Sequence, residues 1–224
     1  MRGIVTGASR GLGLALTRAL SERGWQLAVD ARGAEALEHA VADLAGVSPV
    51  TGDVADPDHR RRLVEAAGEP VDLVVNNASA LGPSPLPLLA QYSLEELRGV
   101  YEVNVLAPLA LVQLSLPRLS PHARIVNVIS DAAVEAYETW GGYGSSKAAF
   151  AQITAVLAAE HPGLRVYAVD PGDMRTQMQR DAFPGDDISD RPLPEESIPG
   201  FLTLIEGDLP SGLYRARDLV GAAA

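Results

Sequence analysis

Apolar positions along the chain fall into two alternating kinds of run. Short runs rich in Val, Ile and Leu occur at residues 3–6, 26–30, 48–51, 73–76, 124–129 and 164–170, and they predict buried strands. Between them lie longer stretches with apolar residues at helical spacing, at 12–23, 34–44, 57–67, 94–119 and 143–160. Strand and helix alternate without hairpin turns. That order implies crossovers and a parallel sheet covered on both faces. The expected fold is α/β, a Rossmann-type doubly wound parallel sheet whose ligands sit at the carboxyl ends of the strands. The pattern weakens after Asp170, where residues 171–200 carry many Pro, Gly and Asp. A short substrate lid is expected over 171–210, with a helix at 195–206 and a last strand at 212–215. Neither a repeat nor a linker interrupts the pattern, so one domain is expected over 1–224.

Composition narrows the function classes. Apolar residues make up 47% and charged residues 21%, the balance of a globular protein. The net charge of -11 repels phosphate backbones and argues against nucleic acid as a partner. The basic run 60–62 reads as a solvated helix face. The absence of cysteine removes disulfides and thiol catalysis. His39, His59, His122 and His161 have no ligand-like spacing and read as surface or helix-end residues, so no metal is expected. The apolar stretches 103–116 and 148–159 are interrupted by Pro108, Gln113 or Gln152 and are expected to be too short to span a membrane. The chain runs at once into the strand-like GIVTG, so the expectation is no signal peptide and a cytoplasmic protein.

The first strand ends in TGASRGLG, residues 6–13, with helical residues following immediately. Glycines at 7, 11 and 13 permit positive φ and close approach of a phosphate, and the helix start offers free N–H groups. In this βαβ context the turn (Gly7, Ser9, Arg10, Gly11, Leu12, Gly13) predicts a dinucleotide site. The second strand ends LAVDARG. Arg10 and Arg32 could converge on a 2′-phosphate, which favours NADP(H); Asp30 facing the ribose would instead mean NAD(H).

Two scarce residue types mark the other end. Asparagine occurs four times, at 76, 77, 104 and 127, and Asn104 within a helical stretch suggests a hydrogen-bonding duty. Of the 18 basic residues 17 are arginine, and the single lysine is Lys147 in YGSSK. Tyr143 and Lys147 are four apart at a helix start and share a face. An ammonium beside a phenol favours the phenolate, which would let Tyr143 exchange a proton near neutral pH. A compact ammonium can also bind ribose hydroxyls where a planar guanidinium cannot fit. Ser130 ends the fifth strand, where its hydroxyl could hold a substrate oxygen. Tyr137, Trp140, Met174, Met178 and Phe183 are candidate lining for a partly apolar pocket.

With these residues assembled, residues 3–176 resemble the short-chain dehydrogenase/reductase family. TGASRGLG resembles its cofactor turn, Asp53 and Val54 its adenine-contacting pair, and NNAS (Asn76, Asn77, Ala78, Ser79) its NNAG with Ser for the last Gly. Asn104, Ser130, Tyr143 and Lys147 fall at its catalytic positions, and Pro171, Gly172 and Thr176 resemble its nicotinamide-contacting segment. The resemblance implies that Tyr143 is general acid/base and Ser130 orients the substrate oxygen. It also implies that Lys147 binds the ribose and lowers the tyrosine pKa, while Asn104 holds a relay water. It implies a small-molecule carbonyl or secondary alcohol substrate and a homodimer or homotetramer. Ser79, an Asp131 following the serine, and SGLYRA near the end depart from the family pattern. A dinucleotide-binding sensor or scaffold without turnover is the alternative; an epimerase or dehydratase is a third reading, for which the chain after Asp170 leaves little room.

Overall fold

The computed structural model describes residues 1–220; the last four residues of the expected domain, 221–224, lie outside the described residues. Seven strands form one parallel sheet in the order β3-β2-β1-β4-β5-β6-β7. They are β1 (Arg2–Val5), β2 (Gln26–Ala31), β3 (Val47–Thr51), β4 (Val71–Asn76), β5 (Leu119–Val128), β6 (Arg165–Asp170) and β7 (Gly212–Arg215). Along the inner strands successive side chains enter opposite layers, as the two-residue period of a pleated strand requires, except across the irregularity between Val71 and Leu73. Val5, Leu73, Val75, Val126, Tyr167 and Val169 pack on one face, against α1 (Gly11–Glu22), α2 (Ala34–Val41) and α8 (Ile198–Glu206). Ile4, Val71, Val74, Ile125 and Val166 pack on the other, against α3 (Pro57–Ala67), α5 (Ala107–Ser115) and α6 (Gly141–Glu160).

Local sequence explains the helix starts. The Asp56 carboxylate caps α3 by accepting from Asp58 N at 2.9 Å, with Pro57 at the first position, where a missing N–H costs nothing. In α1, Leu12, Ala15, Leu16 and Leu20 form one buried stripe at helical spacing.

The strands match the expected runs to within a few residues except β5, which begins at Leu119 and shifts register between Val71 and Leu73 of its neighbour β4. The helix expected over 94–119 is not continuous. It is α4 (Leu94–Tyr101), a π turn (Glu102–Leu106), α5 and a short 3₁₀ turn. The run Leu94–Arg118 is 25 residues long and contains an 18-residue window of mean hydropathy 1.4, long and apolar enough to cross a membrane by length and composition alone. It serves instead as layer helices of this fold: Leu111 packs with α3 and β4, and Val112 with β5 and α6. The expected lid contains one further short helix, α7 (Gln177–Ala182).

Candidate active site

The sheet order reverses direction between β1 and β4, and a cleft of about 1010 Å³ opens at the carboxyl ends there. Gly7, Ser9, Arg10, Gly11 and Leu12 line it from the turn before α1. Gly7 and Gly11 have φ of 71° and 58°, the left-handed region that glycine adopts without a Cβ clash. Gly13 does not line the cleft. A Cβ there would stand 2.3 Å from Gly7 O, so its bare backbone lets α1 pack on the turn. No side chain caps α1 and its first turn carries no acid. The free N–H groups at this helix start suit a diphosphate, and the cleft fits a dinucleotide.

The turn is clamped from below. Thr6 Oγ1 accepts Asn77 N at 2.9 Å and Ala78 N at 3.0 Å, and Asn77 Nδ2 donates to Thr6 O at 2.8 Å. Asp30 is 1% exposed. Its carboxylate accepts Gly7 N at 2.7 Å and meets His59 Nε2 at 2.9 Å. Asp30 thus braces the glycine turn while also lining the cleft. His59 is fully buried, not a surface residue. As the third residue of α3 it turns inward against Gly52, where a Cβ would stand 2.2 Å from its Nδ1. Arg60 is also buried and donates to Val54 O, so only Arg61 and Arg62 of the basic run are solvated. The clamp by Thr6, Asp30, His59 and Asn77 was missed from the sequence; the apolar context of Asp30 in LAVDA was its one signal.

Arg10 and Arg32 are exposed at the cleft and make no ion pair among the described residues. Asp53, Val54 and Ala78 line the cleft, and so do Pro171 and Thr176. Asn76 does not; it is buried and donates to Asn127 Oδ1 at 2.8 Å, tying β4 to β5. Its neighbour Asn77 faces the cleft in its stead.

The reactive end adjoins this cleft. Tyr143 lines both it and a second cavity of about 250 Å³. Gly142 and Gly144 allow the close start of α6. A Cβ on Gly142 would stand 2.4 Å from the Tyr92 ring, and one on Gly144 2.7 Å from Ala132 O. Lys147, one turn on, is 2% exposed and donates from Nζ to Val128 O at 2.8 Å. Its Nζ lies 5.5 Å from the Tyr143 ring centroid. Burial lowers the Lys147 pKa to about 7.

Burial pushes the Tyr143 phenol up, the Asp131 and Asp170 charges add to this, and hydrogen bonding with the Ser79 and Ser130 hydroxyls pulls it back. The net direction is opposite to the sequence expectation. The reason is that desolvation of a buried phenol outweighs a lysine that is itself desolvated.

Ser130 lines the second cavity and donates from Oγ to Asp131 Oδ1 at 2.9 Å. The other Asp131 oxygen accepts Tyr137 OH at 2.9 Å. Tyr137, Trp140, Met174, Met178 and Phe183 all line this cavity, as does Gly172. Trp140 meets Tyr143 edge-on at 5.7 Å and Phe183 at 5.8 Å, so the wall beside the phenol is aromatic.

Asn104 sits in the π turn, the kind of one-residue helix bulge often found at functional sites. Its Oδ1 accepts Ala80 N at 2.7 Å and Ser79 Oγ at 3.1 Å. Its Nδ2 donates to Ala80 O at 2.8 Å and Ser146 Oγ at 2.9 Å. All four hydrogen-bonding positions of the amide are taken by protein groups. The side-chain amide is thus satisfied within the protein, which leaves the main chain of this residue as the place where a relay water could be held.

Comparisons with known proteins show the family and the fold. The family model described as short chain dehydrogenase matches residues 3–187. The chain is 35% identical over 191 residues to 1-deoxy-11-beta-hydroxypentalenate dehydrogenase of Streptomyces arenae, covering 78% of this chain and 67% of that one. It is 32% identical over 187 residues to L-xylulose reductase of Mus musculus, covering 80% and 74%. Its fold superposes with a TM-score of 0.87 on a short chain dehydrogenase from Escherichia coli CFT073 complexed with NADPH, at 28% identity, covering 96% and 95%.

Proposed function

We propose, for a chain that belongs to the short-chain dehydrogenase/reductase family and is thereby an oxidoreductase of alcohol or carbonyl groups, that its cofactor is NADP(H) and its general acid–base is Tyr143. The observation that carries the cofactor reading is the contrast at the end of β2. The Asp30 carboxylate is already bonded to Gly7 N and His59, while the Arg10 and Arg32 guanidinium groups stand open beside the cleft. A 2′-phosphate suits two free guanidinium groups, whereas a 2′-hydroxyl would have to share the Asp30 carboxylate with Gly7 N and His59. The NADPH-bound Escherichia coli structure supports the same reading.

A bound nicotinamide supplies the hydride acceptor or donor. Ser130 orients the substrate oxygen, and Tyr143 takes or gives its proton at the phenol oxygen. Lys147 spends one of three donors on Val128 O and keeps two for a ribose. The substrate is a small carbonyl compound or secondary alcohol with an apolar portion, received against Trp140, Met178 and Phe183. Leu106, Leu114 and Val156 are exposed on the helices α4 to α6, and we extend the reading to a homodimer or homotetramer through these helices. A monomeric mass in solution would refute that extension.

Titration of NADPH and NADH fluorescence tests the cofactor reading. Wild type should prefer NADPH, and the Arg10→Ala/Arg32→Ala pair should lose about tenfold or more of that preference. Lys147→Arg should weaken both cofactors. A preference for NADH in the wild type overturns the assignment, and binding of neither sinks the cofactor reading.

A further inference from the structure

The cavity beside Tyr143 carries an arginine that the proton transfer does not use. Its aromatic wall leads away from the phenol in steps. Trp140 stands edge-on 5.7 Å from Tyr143, Phe183 lies 5.8 Å from Trp140, and the Arg191 guanidinium carbon lies 4.6 Å from the Phe183 ring centroid. Arg191 lines this cavity and is half-buried. Asp186, Asp187 and Asp190 precede it in the chain and are exposed, yet Arg191 makes no ion pair among the described residues. Its Nη1 is buried and has no acceptor among them. A buried donor without a partner costs free energy, and more so when it carries charge. The guanidinium has turned onto an aromatic face inside the cavity instead of toward solvated carboxylates. The chain that carries it is firmly held. Arg191 N donates to Ile188 O at 3.2 Å, and Arg175 N donates to Pro192 O at 2.8 Å. The Arg175 side chain adds hydrogen bonds from Nε to Arg191 O at 3.3 Å and from Nη2 to Ser189 O.

We propose that Arg191 is a specificity-determining residue that receives a carboxylate, so that the substrate is an oxo acid, or the matching hydroxy acid, with an apolar span between the reacting carbon and the acid group. A planar guanidinium offers parallel N–H donors that match a carboxylate, and stacking on Phe183 fixes its plane while leaving the edges of the fork to a ligand. The wall sets the order of groups. The reacting oxygen lies at Ser130 and Tyr143, the apolar span against Trp140 and Phe183, and the acid at Arg191. The carboxylates of the cavity enforce that order. Asp131 stands at the reacting end, where it accepts Ser130 Oγ and Tyr137 OH, each at 2.9 Å. Asp170 accepts Gly172 N at 2.9 Å, and Asp173 is exposed. Like charge beside Ser130 repels an acid group from the reacting end. The order of groups rests on the acid–base reading of Tyr143; the carboxylate contact at Arg191 does not.

Trp140 lines the same wall, so its fluorescence reports occupancy against the background of Trp25 in the core. With oxidised cofactor present, linear oxo acids of increasing length, the ketone at the end remote from the carboxylate, are titrated beside their methyl esters. At the length that fits, the acid should bind about tenfold to hundredfold more tightly than its ester. Arg191→Met should abolish this difference while binding the ester as wild type does, and Arg191→Lys should keep part of it. Acids that bind no better than their esters at every length overturn the proposal, and so does a preference that survives in Arg191→Met. Tyr143→Phe should retain the binding preference while losing turnover with NADPH, so failure of the acid–base reading is seen apart from failure of this one.

Discussion

The two ends of the cleft are built from different materials. At the dinucleotide end the polar side chains are spent on backbone. Thr6, Asp30 and Asn77 hold the glycine turn through N–H and C=O groups, leaving mainly main chain and two open arginines to the ligand. At the reactive end the side chains themselves face the cavity. Tyr143 and Lys147 are buried with their pKa values displaced in opposite directions, and Asp131 and Asp170 line the cavity beside them. A site that binds by shape and dipole can be rigid and fully satisfied. A site that moves protons keeps groups whose charge states are costly, which is where perturbed titrations collect.

The largest effect that would sharpen this contrast is at Tyr143. Tyr143→Phe should lower kcat/KM by about a hundredfold to ten-thousandfold while NADPH binding persists; activity within a few-fold of wild type would move the acid–base role elsewhere. Next comes the clamp. Asp30→Ala orphans Gly7 N and buried His59 together, and should cost about 2–4 kcal/mol in urea unfolding and weaken cofactor binding. If only binding changed, the brace would be no part of the fold's stability.

The smallest effect is a pH dependence at Lys147. Its folded pKa of about 7 lies below the ordinary 10.5, so between these values the unfolded chain holds a proton that the folded chain does not. Stability without cofactor should therefore rise with pH across that window. Lys147→Met should be the more stable protein near pH 7 and lose that advantage toward pH 10, as read from thermal midpoints. Parallel curves for the two proteins would place a charged lysine comfortably in the fold.

Much of this architecture was legible in the chain. The strand runs, the glycine turn and the paired Tyr143 and Lys147 follow from local periodicity and spacing, which a single sequence displays. Asn104 was marked by its poor fit to a helix, and the structure gives it a saturated amide in a π turn. What the sequence did not disclose are pairings over long separations. Asp30 with His59 joins β2 to α3, and Asn76 with Asn127 joins β4 to β5. Neither leaves a local mark, because a buried carboxylate and a cleft-facing one occupy the same kind of position at a strand end. The direction of the Tyr143 shift was also hidden. Spacing reveals that an ammonium is near, but only burial reveals that desolvation outweighs it.

The π turn at 102–106 carries a consequence for how this chain can vary. Its extra residue acts as a gear between α4 and α5. It absorbs one residue locally, so that Leu111 and Val112 stay meshed with the layer while the Asn104 amide reaches Ala80 after β4. Loss of a single codon there would let the turn close into ordinary helix, leaving α5 in register and drawing Asn104 away from Ala80. The segment can therefore lose this contact without losing the fold, and its length, more than its composition, is what inheritance must preserve for the site.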